Sequence, residues 1–338
     1  MSLKAVINLH NIVYNAKVIR RKLPKCVKFC AVVKADAYGH GAERVANAIY
    51  NIVDCFAVAT VGEGVKLRLS GIDKDILVLT KTFNDDLPSA INYSLTLTAG
   101  DISDIKRYFI EAKKQNVRVK IHIKFDTGMH RQGISEISEL KAALKYCNSH
   151  KNIELCGLYS HLSNPENERS RLSAIKKFNI AKNLVKDYNN VICHLSASGG
   201  FIKGAYFDMV RIGILLYGYT PFKTDKIKVK PALKVYAPII KTRRLKHGDS
   251  ALYGDKKAKA DTDITLVRYG YADGLNRKET DGQFNNRCMD LTAIKGNFGK
   301  QRQVCVIDNA EILARKYRTI SYEILVKCAL RAEKIYKF

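Results

Sequence analysis

Ala31-Val32-Val33-Lys34-Ala35-Asp36-Ala37-Tyr38-Gly39-His40-Gly41 is a β-rich apolar run that ends on a lysine and then breaks into small residues and glycines. It begins in the first of eight such runs, at 29–34, 56–60, 76–80, 95–98, 119–125, 155–160, 191–196 and 209–214, and continues past its end. Between them, segments such as 42–50, 62–70, 102–115, 136–149 and 167–187 space their apolar residues at three and four, as amphipathic helices do. Strand and helix alternating eight times predicts an α/β fold, a (β/α)8 barrel, which about 220 residues can form.

Val117-Arg118-Val119-Lys120-Ile121-His122-Ile123-Lys124-Phe125 alternates strictly. One face offers Val, Ile and Phe to the outer helices; the other turns Arg118, Lys120, His122 and Lys124 into the barrel. Such a row needs anionic partners or must give up protons, because an unpaired buried charge costs several kcal/mol. After Tyr219-Thr220-Pro221 the pattern changes to short runs at 227–230, 233–236, 264–267 and 304–307, separated by Gly, Asp and Asn turns. The reading is a barrel over 1–225 and a C-terminal, mainly β domain over 226–338.

Composition fits this division: 338 residues make about two domains, and 46% apolar residues are enough for two cores. The net charge is +26, yet the lysines are dispersed along helical faces. The densest stretch, 241–259, carries no nucleic-acid motif, so small anions are the expected partners and nucleic acid is not. Nine cysteines form no Cys-x-x-Cys and no zinc spacing, which predicts reduced thiols and no metal. With no stretch of signal-peptide length and no run of about 20 apolar residues, a cytoplasmic chain with no membrane association is expected.

Lys34 falls at the C-terminal lip of its strand, where barrel enzymes place their active sites. In low dielectric or near other cations a lysine loses its proton and becomes a nucleophile toward aldehydes; taken alone, a lysine snorkelling from a strand end is the commoner case. Strand seven leads into His194-Leu195-Ser196-Ala197-Ser198-Gly199-Gly200 and strand eight contains Arg211-Ile212-Gly213-Ile214, small residues suited to a phosphate, with Tyr38 in reach from the first loop. No Gly-x4-Gly-Lys-Ser/Thr pattern is present, which argues against a nucleoside triphosphatase. An aldehyde-reactive lysine beside a phosphate cradle suggests pyridoxal 5′-phosphate.

At this point the sequence resembles the alanine racemase family. Residues 31–41 are similar to its cofactor-lysine signature, and seven further stretches follow in order: Lys124-Phe125-Asp126-Thr127-Gly128-Met129-His130-Arg131-Gln132-Gly133, Ser160-His161, 194–198, 210–218, Ala251-Leu252-Tyr253-Gly254, Gly270-Tyr271-Ala272-Asp273-Gly274, and Cys288-Met289-Asp290. The resemblance implies that Lys34 carries the cofactor and acts as one proton-transfer base, and that Tyr253, from a partner subunit of a homodimer, acts as the other. It implies that Arg211 faces the pyridine nitrogen with His161 beside it, and that Tyr38, Ser198, Gly213 and Ile214 contact the phosphate. It places Arg131 and the Met289 backbone at the substrate carboxylate, and Tyr271 and Asp290 at the mouth of the site. Lys124 matches a lysine that some members carbamylate, which would replace a positive charge with a negative one beside Arg131.

Three departures stand out. Ala197 replaces the Asn common before the phosphate serine, the stretch between Tyr271 and Met289 is short, and Leu330-Arg331-Ala332-Glu333 stands where some members carry a phosphate-binding tyrosine, with Tyr322 nearby. The implied activity is interconversion of L- and D-alanine, supplying D-alanine for peptidoglycan. The alternatives are a racemase for serine or a larger or basic amino acid, a decarboxylase on the same barrel, a non-catalytic pyridoxal-phosphate carrier, or a nucleic-acid binder.

Overall fold

The structure, a computed structural model, describes residues 2–254, 256–278 and 287–338. After β1 (Lys4–Asn8) the chain forms β2 (Lys28–Val32), β3 (Cys55–Val58), β4 (Ile76–Lys81), β5 (Thr96–Ala99), β6 (Val119–Lys124), β7 (Ile153–Tyr159), β8 (Ile192–His194) and β9 (Met209–Ile212). The last eight make one sheet, ordered β8-β7-β6-β5-β4-β3-β2-β9. Every neighbouring pair in it is parallel. Its two edges also meet: Asp208 N–H donates to Cys193 O and Arg211 N–H to Ser196 O, both at 2.9 Å, and Ala197 bridges Arg211. The eight strands therefore form a nearly closed barrel, as expected.

Strands covered on both faces should be apolar throughout, and β2, β3, β5 and β9 are buried almost end to end. The helices over them start at side-chain caps. Thr60 and Glu63 make a reciprocal capping box at Val61–Leu69, Asp101 accepts from the Asp104 N–H before Ile102–Lys114, and Asn167 accepts from the Ser170 N–H before Glu168–Asn183. Arg118 precedes β6 and is exposed, which corrects its expected inward position; Lys120, His122 and Lys124 do alternate along the strand.

The second sheet runs β12 (Thr292–Lys295), β11 (Thr262–Val267), β10 (Leu233–Leu245), β1, β14 (Glu333–Lys337), with β13 (Gln303–Ile307) also on β10. β10 pairs with β1 through Leu233 to Tyr236, with β13 through Val235 to Pro238 and with β11 from Ile239 onward, so one long strand serves three neighbours. Two short helices, Ala310–Lys316 and Ser321–Lys327, accompany it. The run at 227–230 is not a strand. Contacts group Ile12–Ala37 with Ala42–Lys230, and Met1–Asn11 with Tyr38–Gly41 and Pro231–Phe338. Residues 1–11, expected in the barrel, thus join the β unit, because Lys4–Asn8 finds its backbone partners in β10 and β14. Among the described residues no helix is long and apolar enough to cross a membrane.

Candidate active site

Lys34 follows β2 and opens a turn of unusual hand: Ala35, Asp36, Ala37 and Tyr38 all have φ between 50° and 54°. Left-handed backbone costs an L-residue roughly 1–2 kcal/mol each, so a run of four must be held from outside. Ala37 N–H donates to Val33 O at 2.8 Å, and Ala35 N–H donates to Glu63 Oε1 at 2.7 Å. The other oxygen of Glu63 accepts from Ala59 N–H at 2.7 Å, and Asp36 Oδ1 accepts from Ala42 N–H at 2.7 Å. One carboxylate therefore fixes the start of the turn and another its exit. Gly39 continues the turn at φ 82°, where a Cβ would stand 2.5 Å from Leu325 O.

Burial lowers the basicity of the Lys34 amine, Arg131 lowers it further, and Glu63 works in the opposite direction. Arg131 itself is exposed and ends a turn in which Asp126 accepts from the Gly128 and Met129 N–H groups at 2.7 and 2.9 Å. Lys124 is buried, 3.3 Å from Gln132 Oε1 and above the Tyr159 ring. Burial, then Arg131 and Arg211, bring its amine down to about 8 against the pull of Asp126. The inward cations are thus accommodated by different means: Lys120 pairs with Asp75 at 3.0 Å, and Lys124 binds its proton weakly.

Arg211 is buried, and its guanidinium donates to Ser160 O at 2.6 Å, Leu195 O at 3.1 Å and His194 O at 3.3 Å. It also faces His194 Nδ1 at 2.5 Å and His161 Nδ1 at 3.4 Å. Because guanidinium can only donate, both Nδ1 atoms must accept, which leaves the ring proton on Nε2. His194 Nε2–H then donates to His122 Nδ1 at 2.8 Å, so the same tautomer extends through His122. Burial first, and Arg211 in support, hold His161 down to about 3 and His194 well below its ordinary value. Burial likewise brings His122 to about 3, against the pull of Asp75. The column is one fixed cation backed by neutral imidazoles. Gly157 makes room for it: a Cβ there would lie 2.5 Å from His122 Nδ1.

On the expected phosphate side, Ser198 starts the helix Ser198–Ile202, and its Oγ accepts from Gly213 N–H at 3.3 Å, with Ile214 following. A Cβ on Gly199 would meet Pro165 at 2.5 Å, so the backbone packs closely here.

The barrel unit therefore carries Lys34, Lys124, Arg131, His161, Ser198, Arg211, Gly213 and Ile214, and charge links Lys34, Lys124, Arg131, His161 and Arg211. Five participants lay outside the expected set. His122 is visible as a polar residue at an inward position of β6 and His194 in the strand-seven loop, but Tyr159, Glu63 and Gln132 carry no sequence signal of their role.

Tyr38, Tyr253, Tyr271, Met289 and Asp290 group with the β unit. Tyr38 is buried with its ring 5.9 Å from that of Tyr322, and its phenol is pushed well up by burial. Tyr253 is 63% exposed and Met289 53%. Arg331, from the segment that departs from the family pattern, donates to Asp290 and Asp273, each at 2.8 Å. The short stretch between Tyr271 and Met289 includes 279–286 and so lies partly outside the described residues.

Residues 7–221 match the alanine racemase N-terminal domain and 232–336 the C-terminal domain. An alanine racemase of Treponema denticola is 32% identical over 98% of this chain and 97% of its own length; one of Aquifex pyrophilus is 33% identical over 96% and 95%. Among solved structures, an alanine racemase of Clostridium difficile 630 has a TM-score of 0.93 at 27% identity, covering 100% of this chain and 96% of that one. The Bacillus anthracis alanine racemase with bound L-Ala-P has a TM-score of 0.90 at 27% identity, covering 100% and 95%. The chain belongs to the alanine racemase family of enzymes.

Proposed function

We propose that this enzyme interconverts L- and D-alanine with pyridoxal 5′-phosphate and two bases, Lys34 and Tyr253, and so supplies D-alanine for peptidoglycan in the cytoplasm. The observation that carries the reading is Lys34, an amine of lowered basicity on a clamped left-handed turn at the lip of β2. The residues present fit the cofactor. A deprotonatable lysine suits its aldehyde, and the Ser198 hydroxyl beside the Gly213 N–H suits its phosphate.

In this reading Ser198, Gly213, Ile214 and Tyr38 hold the phosphate. Arg211, kept charged and oriented by carbonyls and by His161 and His194, would face the pyridine nitrogen and keep it unprotonated. When bound, the cofactor supplies the electron sink that acidifies the substrate Cα–H. Arg131 and the Met289 N–H hold the substrate carboxylate, and Tyr271 and Asp290, tethered by Arg331, narrow the mouth of the site. Lys34 exchanges a proton with one face of Cα and Tyr253 with the other, since inversion needs an acceptor and a donor on opposite sides. Tyr253 is lent by the second chain of a homodimer, a reading that its exposure in the single chain supports.

At neutral pH an amine titrating near 8 is partly unprotonated and can add carbon dioxide, releasing a proton, so Lys124 becomes a carbamate beside Arg131. A mass increase retained under bicarbonate is expected; an unmodified mass there removes this part.

Purified protein incubated with L-alanine in D2O should give Cα deuteration together with D-enantiomer. L-serine and L-lysine, run in parallel, should be turned over more slowly. Lys34→Ala should abolish both the cofactor's visible absorbance and exchange, a loss of about 10^4-fold or more. Absorbance without exchange in the unaltered protein would instead select the carrier reading.

A further inference from the structure

Three sulfur atoms meet on the inner face of three adjacent strands, and racemisation uses none of them. Cys30 on β2 is the register partner of Cys55 on β3 and of Arg211 on β9. Register partners on parallel strands share a face, and Met209, two residues before Arg211, shares it too. Cys55 Sγ lies 3.5 Å from Met209 Sδ, and Cys30, the register partner of Cys55, stands beside it on the same face. Cys30 and Met209 are buried and Cys55 is partly buried, with Asp54 and Asp75 close enough to act on its thiol.

The donor set decides what such a group accepts. Two thiols and a thioether are soft ligands, which favour copper(I) and its relatives over zinc, magnesium or calcium. Among the described residues no three His, Cys, Asp or Glu side chains could hold a metal; the donor beside the two thiols is the Met209 thioether. We propose that Cys30, Cys55 and Met209 form a three-sulfur site for a soft monovalent d10 cation of the copper(I) class.

On binding, the two thiols release their protons to solvent and form two metal–thiolate bonds, and Met209 adds a thioether bond. The ion keeps its oxidation state, so no oxidant or reductant is consumed. The resulting group carries one net negative charge. Arg211, the register partner of Cys30, supplies the neighbouring positive charge.

The test is to titrate the protein as purified, without oxygen, with copper(I) buffered by a chromogenic chelator. One ion per chain should be retained, with a thiolate-to-copper charge-transfer band in the ultraviolet. Losing an outer-shell partner costs a metal site roughly 10–100-fold, so Cys55→Ser and Met209→Leu should each weaken retention by at least about 100-fold. Met209→Leu preserves volume and should leave the fold intact. A variant with the exposed Cys26 and Cys305 both changed to Ser should retain copper like the unaltered protein. The proposal is overturned if the unaltered protein yields all its copper to the chelator, if Met209→Leu retains it equally well, or if the Cys26/Cys305 variant loses it.

Discussion

Arg211, His194 and His122 are buried and joined by hydrogen bonds, whereas Tyr253, Tyr271 and Met289 stand exposed on the β unit. The two groups answer different demands. A group that must keep one protonation state is buried against a fixed charge, and the fold depends on it. A group that completes a site in a second chain, as proposed for Tyr253, is presented to solvent and leaves the stability of its own chain nearly untouched. The contrast predicts that substitutions in the column cost folding free energy and pH tolerance, and that substitutions at Tyr253 cost activity alone.

The largest stability effect should come from Arg211→Gln. It strands the carbonyls of Ser160, Leu195 and His194 in the core, so urea unfolding should show a loss of about 3 kcal/mol. A loss below that of an ordinary surface change would break the contrast. Gly157→Ala should cost about 2 kcal/mol, because its Cβ lands on the His122 ring, which is held by its hydrogen bond to His194.

The last effect is a slope with pH. His122 titrates at about 3 when folded and near 6.5 when unfolded, so between these values the unfolded chain binds a proton that the folded chain does not. Stability therefore falls as pH drops through that window, by about 1.4 kcal/mol per pH unit for each such histidine. Unfolding free energies measured from pH about 6 to about 4 should show a slope shallower by that amount in His122→Gln. An unchanged slope would mean that His122 is not held neutral.

Much of this was legible in the sequence because period-two and period-3.6 patterns report burial directly, and burial is what makes the barrel. The alternation of β6 placed His122 and Lys124 inward without any further information. What stayed hidden depends on distant partners. β1 looks like any short strand until β10 and β14 flank it. The left-handed turn of Ala35 to Tyr38 contains no glycine, and its stability comes from Glu63, 28 residues from Ala35. Arg331 registers in sequence only as a departure, yet it anchors the acid at the expected mouth of the site. Arg118 shows the converse error: the pattern extends past the point where hydrogen-bonded pairing stops.

Of all these, isotope exchange in Tyr253→Phe bears most directly on the two-base account. With cofactor bound and unfolding free energy unchanged within about 0.5 kcal/mol, solvent deuterium incorporation is compared starting from L-alanine and from D-alanine. The account predicts a loss of at least about 100-fold in one direction and a much smaller loss in the other. Equal and undiminished exchange from both enantiomers would contradict it.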